Sequence, residues 1–164
     1  MLILLVAFII TVADQLTKQA IRYSFTLNES RPIIDGFFEL TYVRNTGAAW
    51  GMFQGQGVAL IALSIVMLIL MVVYRRSFVG DGWEHRLAYG LLIGGIIGNL
   101  LDRVRLRAVT DFLQFYIGDY PWPAFNIADS AICIGVGIYI ITSFWMQTHP
   151  LHEAVSAGTP DESA

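Results

Sequence analysis

Long apolar runs alternate with polar segments along this chain, and four of the runs have the length of a membrane-spanning helix. Such a helix needs about 20 predominantly apolar residues to cross the hydrocarbon core of a bilayer. We predict four spans, over residues 2–21, 57–74, 86–101 and 125–146. The second is the most uniform, since it carries no charged residue. The pattern predicts an all-α membrane protein with both termini on the same side.

The segments outside the predicted spans differ in character. Residues 34–43 alternate in part between apolar and polar positions and are rich in aromatic and β-branched side chains, which predicts a small sheet on the membrane surface. The connection 103–124 is rich in aromatic residues, a composition typical of membrane interfaces. In residues 147–164 small and polar residues dominate, and we predict a disordered tail beyond a helical domain at 1–146.

Composition supports the membrane assignment. Charged residues make up 14% of the 164 residues and hydrophobic residues 55%, whereas soluble domains carry about 25% charged residues. The net charge of −3 argues against a nucleic acid as the partner. Cys133 is the single cysteine, so an intramolecular disulfide is excluded, and we interpret it as a small buried hydrophobic residue.

Two aspartates stand out among the polar residues near the predicted spans. Neither Asp111 nor Asp129 has a basic residue within three positions. An ionisable residue at bilayer depth costs about 2.5–3.5 kcal/mol on insertion scales, so it marks a candidate functional site. Two such carboxyls brought together acquire different pKa values, which yields one proton-holding acid and one base. This pair predicts hydrolytic chemistry.

Other polar residues lie at the ends of the predicted spans that face the same side. Asp14 and Lys18 share a helical face and are expected to form an ion pair. Asp102 is expected to pair with its neighbour Arg103. Asn126 lies one turn before Asp129, so its amide is expected to bind that carboxyl or a substrate carbonyl.

Glycines and amides add to this cluster. In the third span one face carries Gly95, Asn99 and Asp102, and a neighbouring face repeats Gly90, Gly94 and Gly98 every four residues. Small residues at that spacing allow another helix to pack closely. The small residues of the segment 45–51 allow a close-packed loop in which Asn45 lines the site.

Two other hypotheses remain open on the residues alone. The carboxylates could relay ions in a transport or channel subunit, although all of them lie towards one side and the second span is uncharged. The polar groups could instead only join the helices of a non-catalytic bundle. Counting Lys and Arg residues favours a cytoplasmic placement of the two larger connections. Several of these cations lie beside carboxylates and are candidate site residues, so charge alone leaves the orientation open.

Five segments of the chain resemble the signature blocks of the bacterial lipoprotein signal peptidase (signal peptidase II) family. They occur in the order of the family and extend from residue 14 to residue 130. The segments are Asp14–Lys18, Asn45–Ala49, Gly94–Arg103, Val109–Phe112 and Phe125–Ser130. One small departure is Thr110, where the family pattern has Val.

The resemblance implies an aspartic endopeptidase of the bacterial inner membrane, with four transmembrane helices and a small periplasmic sheet. It implies cytoplasmic termini, a cytoplasmic tail and an active site near the periplasmic face, which is opposite to the orientation obtained from charge. The substrates would be prolipoproteins, cut just before a diacylglyceryl-modified cysteine. We expect contacts with membrane lipids, no metal or other cofactor, and a monomer.

The resemblance also assigns roles to particular residues. Asp111 and Asp129 fall at the catalytic positions of the family. The remaining matches fall at positions that bind substrate or shape the site: Asp14, Lys18, Asn45, Gly95, Asn99, Asp102, Arg103 and Asn126.

Overall fold

The computed structural model describes residues 1–48, 52–79 and 82–148. Along this part of the chain lie five helices and four strands. In chain order they are α1 (Leu2–Ser24), β1 (Ser30–Ile34), β2 (Phe38–Asn45), α2 (Gly57–Val73), α3 (Arg75–Phe78), α4 (Trp83–Leu106), β3 (Val109–Ile117), β4 (Tyr120–Pro121) and α5 (Ile127–Thr148).

Helix α4 is the centre of the bundle and packs against α1, α2 and α5. Its glycines allow the close approach of α1 that the four-residue repeat predicts. A Cβ atom on Gly90 would lie 2.8 Å from the Cβ of Val6, and one on Gly94 would lie 2.8 Å from the carbonyl oxygen of Ala7. Contacts this short leave no room for a side chain, so glycine is required at both positions.

Within the described residues, three helices are long and apolar enough to cross a membrane by length and composition, namely α1, α4 and residues 127–145 of α5. Helix α2 is apolar but shorter, with 17 residues. Large apolar side chains project outwards from the bundle; examples are Phe8 on α1 and Val72 on α2, which are 67% and 68% exposed. Because apolar exteriors are stable in lipid, this surface suits a membrane protein.

Helix α4 extends beyond the predicted span 86–101 at both ends, and it stops where Arg107 adopts a left-handed conformation (φ 58°). Helix α5 continues to Thr148, and residues 149–164 of the predicted tail lie outside the described residues.

The interpretation of Cys133 as buried is wrong, because its side chain is exposed on the outer face of α5. Hydropathy alone does not distinguish the lipid-facing side of an apolar helix from its packed side.

The predicted small sheet is confirmed, but it is larger than residues 34–43. Its four strands run antiparallel in the order β1-β2-β3-β4. The two added strands come from the aromatic connection 103–124, and its rings pack within the sheet region. Phe115 stacks on Phe38 and Phe125 with ring centroids 4.7 and 5.9 Å apart. These aromatic residues therefore build structure as well as contributing an interfacial composition.

Candidate active site

The largest fully buried side chains of the described residues are polar or charged. They lie where the end of α1, the end of α4, the start of β3 and the start of α5 meet. They are Lys18, Asn126, Thr110, Asp14 and Asp102. Burial of polar groups is costly unless each one is hydrogen-bonded or paired. The contacts within this cluster therefore determine what the site can do.

Asp111 is the third residue of β3 and lies opposite Val43 of β2. Only 3% of it is exposed. Its Oδ1 accepts a hydrogen bond from Nδ2 of Asn126 (2.7 Å), and its Oδ2 accepts one from Nδ2 of Asn45 (3.0 Å). Burial and the nearby Asp129 carboxylate raise the pKa of Asp111 to about 7, although the two amides oppose this shift. Near neutral pH this carboxyl can therefore hold a proton.

Asp129 lies in the first turn of α5. Its Oδ1 accepts from Nδ2 of Asn99 (2.7 Å), and its Oδ2 accepts from the backbone N–H of Asn126 (3.2 Å). In return, the N–H of Asp129 donates to Oδ1 of Asn126 (2.9 Å). This reciprocal pair is the capping box of a helix start. The positive end of the helix dipole and the two N–H donors stabilise negative charge on this carboxyl, whereas its burial opposes ionisation.

Asn126 connects the two carboxyls, although not as its spacing in the chain predicts. Its backbone N–H, and not its side-chain amide, binds the Asp129 carboxyl. The amide Nδ2 instead lies within hydrogen-bond distance of Asp111, of Oδ1 of Asn99 (3.2 Å) and of the carbonyl of Thr110 (3.4 Å). Because Asn126 precedes the helix, its side chain turns back towards the sheet and bridges β3 and α5.

The predicted pair of Asp14 and Lys18 is confirmed, with 2.9 Å between Oδ2 and Nζ and both side chains fully buried. Oδ1 of Asp14 also accepts the backbone N–H of Ala128 at 3.0 Å. Asp14 on α1 therefore caps the same turn of α5 that carries Asp129, which fixes the position of that turn relative to α1.

The predicted pair of Asp102 and Arg103 is wrong. Asp102 lies 3.6 Å from both Nζ of Lys18 and Nη1 of Arg22. Consecutive helix residues do not face each other, so Arg103 projects in a different direction. Its Nη2 donates to the carbonyl of Gly47 (3.2 Å). Its guanidinium interacts electrostatically with Asp129 and Asp111, and less strongly with Asp102.

Two further residues complete the cluster without having been singled out as site residues from the sequence. Arg22 follows Lys18 by four positions, a spacing that could have identified it. Its Nη1 donates to the hydroxyl of Thr110 (3.0 Å), and the N–H of Thr110 donates to Asp102 (3.0 Å). The hydroxyl of Thr110 thus has a specific partner that a Val at this position would lack.

Gly95 lies at the contact of α4 with the start of α5. A Cβ atom there would be 2.5 Å from the carbonyl oxygen of Ala128. Glycine therefore lets the turn bearing Asp129 approach Asn99.

Asn45 begins the loop predicted for the segment 45–51. Its Oδ1 accepts the N–H of Gly47 (2.9 Å), and residues 49–51 of this loop lie outside the described residues.

In residues 1–48, 52–79 and 82–148, no group of three or more His, Cys, Asp and Glu side chains is arranged to hold a metal ion. The chemistry available from the described side chains is that of two carboxyls, amide donors and the cations around them.

Solved structures with this fold define the class of protein. Two structures described as a bacterial membrane enzyme match the chain at 35% sequence identity. One has a TM-score of 0.80 and covers 92% of both chains, and the other has a TM-score of 0.75 and covers 86% of this chain and 91% of its own. The fold is thus that of a membrane enzyme.

The family follows from the sequence comparisons. The model of the signal peptidase II family matches residues 6–145. A lipoprotein signal peptidase of Syntrophotalea carbinolica is 40% identical over 87% of this chain and 91% of its own length. One from Shewanella loihica is 42% identical over 93% of this chain and 92% of its own length. The chain belongs to the signal peptidase II family of aspartic-type peptidases, which confirms the resemblance of the five segments.

Proposed function

We propose that this chain removes signal peptides from prolipoproteins and that Asp111 and Asp129 are its catalytic pair. The observation that carries the proposal is the bridge between the two carboxyls. Both accept hydrogen bonds from Asn126, and neither forms an ion pair with a Lys or Arg of the described residues. Unpaired neighbouring carboxyls are suited to exchange protons with a substrate.

The two carboxyls have different proposed roles. Asp111 is the acid, because its pKa of about 7 lets it hold a proton near neutral pH. Asp129 is the base, because two N–H donors and the start of α5 stabilise its carboxylate. Two carboxyls whose surroundings favour the protonated form of one and the ionised form of the other are typical of acid–base catalysis.

In the proposed reaction a water molecule gives a proton to Asp129 while its oxygen bonds to the scissile carbonyl carbon. Asp111 donates its proton to the carbonyl oxygen, so the tetrahedral intermediate carries two hydroxyl groups. On collapse Asp111 takes that proton back and Asp129 protonates the leaving nitrogen as the C–N bond breaks. The products are a carboxyl terminus and an amine, and both aspartates return to their starting states.

The proposed cleavage position is just before a diacylglyceryl-modified cysteine. Exposed apolar residues of β1 and of the turn after it suit a lipid-bearing substrate and contacts with membrane lipids; Ile33, Ile34 and Phe37 are each at least 50% exposed. Arg103 and Asn45 are proposed to position the peptide or lipid head group. The positions proposed to shape the site are Asp14, Lys18, Gly95, Asn99, Asp102 and Asn126.

Cleavage of a diacylglyceryl-modified prolipoprotein by the purified protein tests the function and its pH dependence together. We expect kcat/KM to fall as the pH rises above about 7, because Asp111 acts in its protonated form. Above its pKa the protonated fraction decreases about tenfold per pH unit. Absence of cleavage would refute the function, whereas cleavage with no decline up to strongly alkaline pH would remove Asp111 as the acid.

The proposed topology has four transmembrane helices (α1, α2, α4 and α5) in the bacterial inner membrane. Both termini and the tail are cytoplasmic, and the site lies near the periplasmic face. At 17 residues α2 is about 26 Å long, close to the thickness of the hydrocarbon core. The polar cluster lies at a single end of the bundle, as a site at one face requires. We propose a monomer, because the cluster is completed by residues of one chain.

Labelling of introduced cysteines in intact cells tests this topology. In a Cys133→Ser background, a membrane-impermeant maleimide is expected to label Asp119→Cys directly but Arg76→Cys only after permeabilisation. Both positions are exposed, Asp119 between β3 and β4 and Arg76 in α3. The reverse pattern would invert the orientation and agree with the charge count. Labelling of both in intact cells would contradict the four-span arrangement.

A further inference from the structure

Lys18 is fully buried among polar partners from two helices. Its ammonium lies 2.9 Å from Oδ2 of Asp14, 3.6 Å from Oδ2 of Asp102 and 2.9 Å from Oδ1 of Asn99. Isolated buried ammonium groups are strongly disfavoured. The two carboxylates neutralise the charge, but the contact with Asn99 adds no neutralisation and points towards the candidate catalytic pair.

The contact with Lys18 determines which way the amide of Asn99 faces. An ammonium group only donates hydrogen bonds, so it must meet the amide oxygen and not the amide nitrogen. Nδ2 of Asn99 therefore faces the opposite way and donates to Oδ1 of Asp129 (2.7 Å). With the amide reversed, two donors would meet at Lys18 and Asp129 would lose its donor.

The orientation of the Asn99 amide in turn constrains the amide of Asn126. Oδ1 of Asn99 also accepts from Nδ2 of Asn126 (3.2 Å), which in turn donates to Oδ1 of Asp111 (2.7 Å). Oδ1 of Asn126 then accepts the N–H of Asp129 (2.9 Å). The donor of Lys18 thus sets the direction of a chain of hydrogen bonds that reaches both carboxyls.

We propose that Lys18 is a positioning residue that sets the direction of this chain and thereby keeps Asp129 ionised and ready to accept a proton. The inference rests on the proposed catalytic pair and adds a role for a residue that does not touch the substrate. The alternative is that Lys18 only neutralises Asp14 and Asp102. The positioning role and the counterion role make different predictions. Only the positioning role predicts that loss of the Lys18 cation changes the pH dependence of cleavage.

Other charged groups surround the pair and have to be kept constant in a test. The charges of Asp14 and Lys18 on α1 both act on Asp129, with opposite signs. Arg103 on α4 interacts with both catalytic candidates, and Asp111 on β3 interacts with Asp129. Arg22 interacts with Asp102, which in turn contacts Lys18. A useful variant removes the cation without leaving an unpaired buried carboxylate.

The double variant Asp14→Asn/Lys18→Met meets this requirement. Lys18→Met alone would leave the buried Asp14 carboxylate without its cation. Asn at position 14 carries no charge and keeps an oxygen that can accept the N–H of Ala128. We expect kcat to fall about tenfold and the acidic limb of the pH–rate profile to move up by about one unit, because Asp129 loses its oriented donor. The variant removes the opposite charges of Asp14 and Lys18 together, so their electrostatic effects on Asp129 offset each other.

A second variant, Asn99→Leu, breaks the chain but leaves Lys18 with both of its carboxylates. The expected result is the same upward movement of the acidic limb. The matched control is Gln15→Met, since Gln15 binds Asp14 and Asp102 in the same cluster but lies outside the chain to Asp129. Its acidic limb is expected to stay in place even if thermal stability in detergent decreases.

The outcomes separate this inference from the proposed function. If Asn99→Leu or the folded double variant keeps the wild-type acidic limb, Lys18 is only a counterion and the inference is wrong, while the catalytic pair is unaffected. If the Gln15→Met limb moves as far as the others, the shift reflects general disturbance of the cluster and also overturns it. Full activity of Asp129→Asn would instead refute the proposed catalytic pair.

Discussion

Replacement of Asp111 or Asp129 by Asn is expected to lower the rate of prolipoprotein cleavage by about 10²–10⁴-fold. Asn has nearly the same shape as Asp but cannot accept or donate the proton that each step requires. The two carboxyls are expected to act as a unit, so the double variant should be no slower than the worse single variant. Cleavage in detergent with purified protein, with and without EDTA, is the measurement.

The control for this experiment is Asp119→Asn in the exposed turn between β3 and β4, which should cleave at the wild-type rate. Thermal unfolding separates loss of chemistry from loss of fold. Asn at position 111 would leave one of the two donated hydrogen bonds unsatisfied, so a modest destabilisation of about 1–3 kcal/mol is expected. Robust cleavage by either folded single variant would exclude that residue from the chemistry, and inhibition by EDTA would contradict a reaction without metal.

Gly95→Ala is expected to reduce cleavage by about 10²-fold even though Gly95 provides no chemical group. The added Cβ would lie 2.5 Å from the carbonyl oxygen of Ala128 and 2.7 Å from Cγ1 of Ile132. A backbone oxygen cannot rotate away as a flexible side chain can, so α5 must move away from α4. That movement displaces Asp129 from the amide of Asn99.

The control is Gly137→Ala in α5, because a Cβ atom there would meet nothing within 4 Å. It should leave both cleavage and stability near wild type. For Gly95→Ala we expect a loss of about 1–3 kcal/mol in stability, the usual cost of overpacking. Wild-type cleavage by Gly95→Ala would mean that the start of α5 tolerates displacement, and equal loss in both variants would point to a general effect of replacing a helical glycine by alanine.

The sequence by itself predicts the apolar helices and much of the site. Uniform hydropathy identifies residues 57–74 without any knowledge of the fold, because apolar runs of that length are stable in lipid. The pair of Asp14 and Lys18 also follows from the chain alone, since residues four apart share a face of one helix. Both predictions depend only on local geometry.

Contacts between elements could not be obtained in this way. Asp102 is adjacent to Arg103 in the chain but pairs with Lys18 and Arg22 of another helix. The connection 103–124 has the composition of an interface, yet it supplies strand β3, whose pairing with β2 brings Asn45 to Asp111. Strand pairing joins distant parts of the chain, and composition does not encode the register.

The two candidate catalytic aspartates were identified by motif and by their lack of basic neighbours in the chain, so their identity came from the sequence. Their environment is set by the tertiary structure. Asn126 bridges the two carboxyls, and Asp14 caps the turn of α5 that carries Asp129. Gly95 leaves space for that turn to pack against α4. The physical reason is that spacing along a chain fixes which side chains share a helix face. Which donor meets which acceptor is decided only when the helices and the sheet pack together.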